Sequence, residues 1–290
     1  MTLLNKTLYT LTLLFLLLIP AKLFSNDNIR DRTEFTSFLF ENGYYREAVP
    51  GYLHLYYSSG SKKEKAHFAH LAGKCYLENG DLKEAEYLFR SFLKNDLISD
   101  VLDESFYFDF SRTLYFQKKF HEVPYEMEDT DFFKNSNQLK EITAWSYINT
   151  GNWDKADFLF NEISETEKSS RITEVNTLLK NRPDFTEKSP TTAAILSALL
   201  PGAGHAYSDN WNSAIGAFTV NLIFGSLTAF SIYKEEWVYA AAFGIMEAGW
   251  YSGNIASAYQ EAEIYNRNEE NKFKLKLSAS FPVDFQIKSR

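Results

Sequence analysis

Cysteine is almost missing from this chain: Cys75 is the only one in 290 residues. That excludes an intrachain disulfide and a cysteine metal cluster, and a lone thiol inside an apolar helical pattern reads as a small buried group. Histidine is scarce as well, with five in all. His67 and His70 stand one helical turn apart, a spacing that can serve a metal, but no third ligand lies near them in sequence. The Gly-Lys-Ser/Thr of a phosphate loop is absent, and so is the third spaced glycine of a dinucleotide turn. In "PGAG" at 201–204, Ala203 occupies the place where a nucleophile elbow needs serine. With no nucleophile–base pair and no metal set, the expectation is a protein that is not an enzyme and holds no cofactor or metal.

A basic surplus is lacking too. The formal net charge is −8. Residues 26–190 carry 29 acidic against 21 basic side chains, a difference of 8 that accounts for all of it. An acidic chain repels phosphate backbones, so nucleic acid is not an expected partner. The acidic run "EVPYEMEDTD" at 122–131 lacks the ordered spacing and glycine of a calcium loop and reads as solvated.

What the chain does have is apolar and aromatic bulk: 45% hydrophobic residues, with 25 Phe and 18 Tyr. The length favours about two domains on a ~150-residue prior. Residues 8–19 form an apolar run of 12, too short to span the ~30 Å core of a bilayer. Lys6 precedes it, Pro20 breaks it and Ser25 offers a small residue for cleavage, so 1–25 reads as a signal peptide.

Four segments then align: "LFENGYYREAVPGY" at 39–52, "YLENGDLKEAEYLF" at 76–89, "LYFQKKFHEVPYEM" at 114–127 and "YINTGNWDKADFLF" at 147–160. In each, an apolar or aromatic residue is followed four later by Gly (Lys118 in the third). Ala follows five after that (Val123 in the third), then a large apolar residue. A turn glycine accepts positive φ, and Ala lets two helices approach. The pattern predicts helix pairs over 26–163, with a kink at Pro50. It resembles the tetratricopeptide repeat family, with Gly73, Tyr76, Gly80, Ala85 and Phe89 matching in the best copy. The resemblance implies a helical solenoid with a concave groove lined by the first helix of each pair. Carried over by position, the groove residues are His70 and Lys74, Phe108 and Arg112, and Glu141 and Trp145. Lys74 and Arg112 would hold a carboxylate of a protein or peptide partner, and Phe108 and Trp145 would pack one of its side chains. The alternative is a solvated helix face. Residues 164–190 read as a linker with a capping helix around 172–179.

Residues 191–266 read as a membrane hairpin. The run 213–233 carries no charge, "KEE" interrupts at 234–236, and the second span, about 236–257, is apolar over 237–256 apart from Glu247, Asn254 and small polar groups. Each run is long enough to span a bilayer. Small residues recur every four: Ser213, Ala217, Gly225 and Ala229 with Asn221 in the gap, then Ala240, Gly244, Ala248, Ser252 and Ala256. Folding the runs about 234–235 makes the two stripes meet, the arrangement that packs helices closely in lipid. Glu247 is then expected near mid-depth, hydrogen-bonded to Asn221 or His205, either as polar glue or as a proton or ligand site. The opening Pro201, Gly202, Gly204, His205 and Tyr207 resembles the two-transmembrane domain family of small bacterial membrane hairpins; "SDNW" stands where that family repeats a glycine. This resemblance implies placement in a bilayer rather than an activity. "KFKLKLSASF" alternates strictly and predicts a short amphipathic strand within a polar tail, 267–290.

The expected whole is all-α apart from that strand: a repeat solenoid followed by a membrane-embedded hairpin. The expected role is a bacterial envelope scaffold in the inner membrane, with the repeats in the periplasm; association with the outer membrane is the second placement. A membrane-active role in transport or insertion, centred on Glu247, is the competing function.

Overall fold

The computed structural model describes residues 29–183 and 187–288. The signal-peptide reading of 1–25 lies outside these residues. All regular structure among the described residues is helical. The described residues divide into two compact units, one built from 29–172 together with 282–288, the other from 173–183 and 187–281.

Unit 1 contains four helix–turn–helix pairs. They are α1 (Ile29–Glu41) with α2 (Tyr45–Ser58), α3 (Lys62–Asn79) with α4 (Leu82–Leu93), α5 (Glu104–Phe116) with α6 (Glu122–Met127), and α7 (Asn137–Asn149) with α8 (Trp153–Thr166). The turn of every pair has the same chemistry. Gly43, Gly80, Lys118 and Gly151 all adopt positive φ, between 62° and 82°. The amide of the next residue then reaches back to the carbonyl five positions earlier, Tyr44 to Leu39, Asp81 to Tyr76, Lys119 to Leu114 and Asn152 to Tyr147. These bonds close the helix end and satisfy carbonyls that would otherwise be orphaned. Lys118 makes the turn without glycine, at a cost of about 1–2 kcal/mol for an L residue in this region.

The repeated apolar positions are inside in every copy. Ala48, Ala85, Val123 and Ala156 are buried, as are Tyr52, Phe89, Met127 and Phe160. A small residue lies seven before each turn: Thr36, Gly73, Ser111 and Ala144. At Gly73 an added Cβ would stand 2.6 Å from the Phe89 ring, and at Gly51 it would stand 2.3 Å from Thr36 Oγ1. The second helices can therefore lie close on the first. Helix α2 continues through Pro50. Helices α3, α5 and α7 pack in succession, which brings the first helices of three copies into one row. Helix α9 (Ser170–Lys180) occupies the linker, over the stretch expected to carry a capping helix.

Unit 2 contains α10 (Pro190–Leu199), the short α11 (Ala203–Tyr207), α12 (Trp211–Tyr233) and α13 (Trp237–Ser278). Ser189 and Asn210 cap α10 and α12 by accepting the Thr192 and Ser213 amides. Helices α12 and α13 pack against each other along a hairpin whose turn places Glu235 at φ 59°. Two expectations are corrected at its far end. No strand forms at 272–281, because α13 runs through to Ser278, and the polar tail accordingly begins as helix. The Lys/apolar alternation there serves a helix face instead. Phe273 and Leu277, four apart, are buried, while Leu275 between them is 73% exposed. A strand would have placed all three on one side.

Candidate functional site

The six residues expected to line a groove all lie on first helices: His70 and Lys74 on α3, Phe108 and Arg112 on α5, Glu141 and Trp145 on α7. Their neighbours are not solvent. His70 Nε2 donates to Asp109 Oδ2 at 2.8 Å, Lys74 Nζ approaches the same oxygen at 3.2 Å, and Arg112 Nη1 donates to Asp109 Oδ1 at 2.6 Å. Arg112 Nη1 also reaches Glu78 Oε1 at 2.9 Å. Lys74 and Arg112 thus hold a carboxylate, as their charge implied, but it is Asp109 of this chain. Burial alone would raise the Asp109 carboxyl. The His70 hydrogen bond, Lys74 and Arg112 outweigh that and hold it well below the usual carboxylate range. Asp109 and Glu78 escaped the sequence reading. Their signal was available, since each lies one helical step from a groove position and completes an opposite-charge pair with Arg112.

Glu141 accepts from Arg171 and from Trp145 Nε1, the latter at 3.2 Å. Trp145 is buried with its ring edge-on to Phe160 at 5.6 Å. It belongs to the core and presents no ring to a partner, which corrects the expectation for this residue. The reason is its place on α7, directly over the large apolar residue of its own copy. His70 turns to Asp109 rather than to His67, and among the described residues no group of three or more His, Cys, Asp and Glu side chains is placed to hold a metal. The Cys75 thiol is buried, which pushes its pKa up to about 12.

Phe108 and Arg112 carry more than the internal network. Residues 282–288 of the chain lie against them as part of unit 1. Arg112 Nε donates to the Phe285 carbonyl at 2.9 Å and Nη2 to the Gln286 carbonyl at 2.8 Å. The Lys288 amide donates to Glu78 Oε2 at 2.9 Å. The Phe285 ring stands edge-on to Phe108 with centroids 4.9 Å apart and is 3% exposed.

In unit 2 the glycine turn is a packing device. Gly202 has φ 88°, and a Cβ there would stand 2.2 Å from the Ala214 carbonyl oxygen. At Gly204 it would stand 1.9 Å from the Ala193 carbonyl oxygen. Pro201 follows Leu200, the C-cap of α10, and Gly202 is the N-cap of α11. Asn254, which the sequence reading passed over as one polar residue in an apolar run, ties the turn together. Its Oδ1 accepts the Gly202 amide at 3.0 Å and its Nδ2 donates to the Ser197 carbonyl at 3.1 Å. Ser197 Oγ in turn accepts the Gly204 amide. His205 is buried, with Nε2 3.1 Å from Ser257 Oγ. Tyr207 packs on the Ala193, Ala258 and Ala262 cluster, and its hydroxyl accepts the Ser189 amide.

Asn221 and Glu247 do not meet. Asn221 Nδ2 donates to the Ala217 carbonyl within its own helix, and its buried Oδ1 finds no hydrogen-bond partner. Glu247 Oε2 is also buried and unpartnered, and His205 does not reach it. The register explains the correction. The register expected from sequence set Asn221 opposite Ala248, and Glu247, one residue earlier on the helix, is rotated from that position by roughly 100°. Glu247 instead lines an open crevice of about 530 Å³ with Gly225, Thr228, Ala229, Gly244, Ala248 and Tyr251. Gly225 and Ala229 of the first stripe and Gly244 and Ala248 of the second line this crevice. A Cβ on Gly244 would make ordinary contact with Thr228 at 3.7 Å, and one on Gly225 would touch nothing within 4 Å.

No protein family, no curated protein and no solved structure matches this chain.

Proposed function

We propose that the chain is a membrane-anchored scaffold of the bacterial cell envelope, with a tetratricopeptide-like array in unit 1 for a protein or peptide partner and a two-helix membrane hairpin in unit 2. The observation that carries the membrane half is the inside-out distribution of side chains in unit 2. Over 190–262, Trp211, Ile215, Leu222, Phe230, Val238 and Ile245 are exposed, while the buried side chains are alanines (Ala193, Ala214, Ala240, Ala258 and Ala262) and polar groups such as Ser197, His205, Asn221 and Asn254. The large apolar Phe273 and Leu277 are buried only further along α13. Water would leave that surface at a cost of roughly 25 cal/mol per Å², whereas lipid removes the cost. Among the described residues α12 alone contains an 18-residue stretch apolar enough for a span, and no stretch of α13 reaches that hydropathy. At 23 residues α12 is about 35 Å long. The first half of α13 is the second span of this reading, with its polar second half leaving the bilayer. Parity supports a pair. Residues 282–288 and the repeat pairs belong to one unit, so they share a side of any membrane, and the chain between them crosses it an even number of times.

Alkaline carbonate washing of membrane vesicles tests the anchor. Retention of the chain is expected, and release without detergent overturns the reading. Crosslinking in intact cells tests the scaffold: a discrete adduct through unit 1 is expected, and only random adducts would count against it. A second reading, a membrane-active role, is favoured by one observation, the buried unpartnered Glu247 oxygen facing an open crevice. Glu247→Gln separates the two, because a scaffold keeps its adduct and its membrane retention, whereas a proton-handling role is lost.

A further inference from the structure

We propose that residues 282–288 are a built-in occupant of the unit 1 groove, a strap that competes in cis with a turn-forming partner segment for the Arg112–Phe108 site. This rests on the reading of unit 1 as a binding array and names the chemistry of what binds.

The site is fixed from behind. The Arg112 guanidinium is buried, pinned by Asp109 and Glu78 and set over the Phe108 ring. That leaves Nε and Nη2 free of those carboxylates, pointing at two successive main-chain carbonyls, those of Phe285 and Gln286. Glu78 Oε2 adds an acceptor for a main-chain amide two residues further on, that of Lys288. Three hydrogen bonds to the strap therefore go to main chain, which any peptide that adopts the 3-10 turn of Val283–Phe285 supplies. The side chains of Val283, Asp284, Gln286 and Lys288 are exposed, Ile287 is half-buried and Pro282 is buried. The Phe285 ring enters the groove against Phe108.

Such a site recognises a segment with a short 3-10 turn and an aromatic anchor at its end, preceded by a buried proline, and is tolerant at the exposed positions. The strap is joined covalently to the unit it fills, so its effective concentration is on the order of millimolar. A free segment of the same chemistry meets a largely occupied groove, and its apparent affinity falls by the fraction of chains with the strap released. The partner class is a protein segment that carries a Phe-like residue at the end of a 3-10 turn and so offers two consecutive carbonyls on one side.

The test uses the full chain in detergent and a fluorescent peptide of residues 282–290, PVDFQIKSR. Binding is read by anisotropy on the wild type, Phe285→Ala and Phe285→Ala/Arg112→Lys. Phe285→Ala releases the strap and is expected to bind the peptide at least tenfold more tightly than the wild type. Adding Arg112→Lys keeps the charge facing Asp109 and Glu78 but removes the fork, and is expected to reverse the gain. Equal affinity for wild type and Phe285→Ala overturns the proposal, as does a gain that survives Arg112→Lys. Should Phe285→Ala fail to fold, hydrogen exchange of the Lys288 amide in the wild type decides: protection is expected, and exchange at the rate of an exposed amide overturns it. Retention in carbonate-washed membranes and crosslinking in cells are separate readouts, so the strap can fail while the scaffold stands, and the reverse.

Discussion

Units 1 and 2 solve the burial problem in opposite ways. Unit 1 puts its large rings inside, Phe89, Phe106, Phe110 and Phe160 among them, and even buries charge as the His70–Asp109–Arg112–Glu78 chain. Over 190–262 unit 2 leaves no Phe, Tyr or Trp ring buried and keeps alanine, serine and asparagine inside, with Phe273 and Leu277 buried only further along α13. In water, burying apolar area drives folding and large side chains belong in the core. In lipid that drive vanishes between helices, close approach and satisfied polar groups take over, and small residues belong in the core. The hydrogen bonds of Asn254 to a turn amide and a helix-end carbonyl fit the second regime as closely as the aromatic stack of unit 1 fits the first.

The largest effect that would break this contrast lies in the buried charges. Arg112→Met leaves Asp109 and Glu78 carboxylates without their shared cation, and we expect unit 1 to lose about 3–5 kcal/mol in denaturant titration, with unit 2 helicity in detergent unchanged. Next come the close approaches. Gly202→Ala adds strain at positive φ and a clash with the Ala214 carbonyl, and Gly204→Ala meets the Ala193 carbonyl. Each is expected to cost unit 2 more than ~1 kcal/mol, read as a lower melting temperature in detergent, with unit 1 untouched. A third effect sharpens the difference through pH. Asp109 binds its proton less readily folded than unfolded. Its contribution is therefore complete above the unfolded value near pH ~4 and is lost as pH falls toward the depressed folded value. The urea midpoint of unit 1 should drop between pH 5 and pH 3 in the wild type, and drop less in Asp109→Asn. The smallest effect concerns a single turn. Lys118→Gly removes the left-handed strain of the third pair and is expected to raise unit 1 stability by up to ~1 kcal/mol, against a loss of similar size for Gly80→Ala.

Much of this architecture was legible in the sequence, for reasons that differ by unit. The helix pairs of unit 1 showed because a turn glycine, a crossing alanine and a large apolar residue are each required by local geometry at fixed spacing. Even the third copy kept the conformation when Lys118 replaced the glycine, since the turn's two hydrogen bonds need the angle and not the residue. Groove positions were legible as places on first helices. Their chemistry was not, because a side chain one turn away, Asp109, claimed the charges first, and Trp145 was claimed by Phe160. The partner of Arg112 was hidden for a plainer reason: residues 285 and 286 are 173 and 174 positions away in sequence, and no periodicity reports a contact of that separation. The terminal "KFKLKLS" misled because alternation over six residues fits a strand face and an i, i+4 helical pair alike, and only the helix hydrogen bonds of α13 resolved it.

The division of unit 1 into two stretches of chain has a consequence for manufacture. A ribosome finishes the repeat pairs about 110 residues before it reaches the strap (282 less 172), an interval on the order of ten seconds at ~5–20 residues per second. Throughout that window the guanidinium fork and the Phe108 ring stand open on a nascent chain. Any protein waiting at the exit meets a vacancy there that the finished molecule no longer offers.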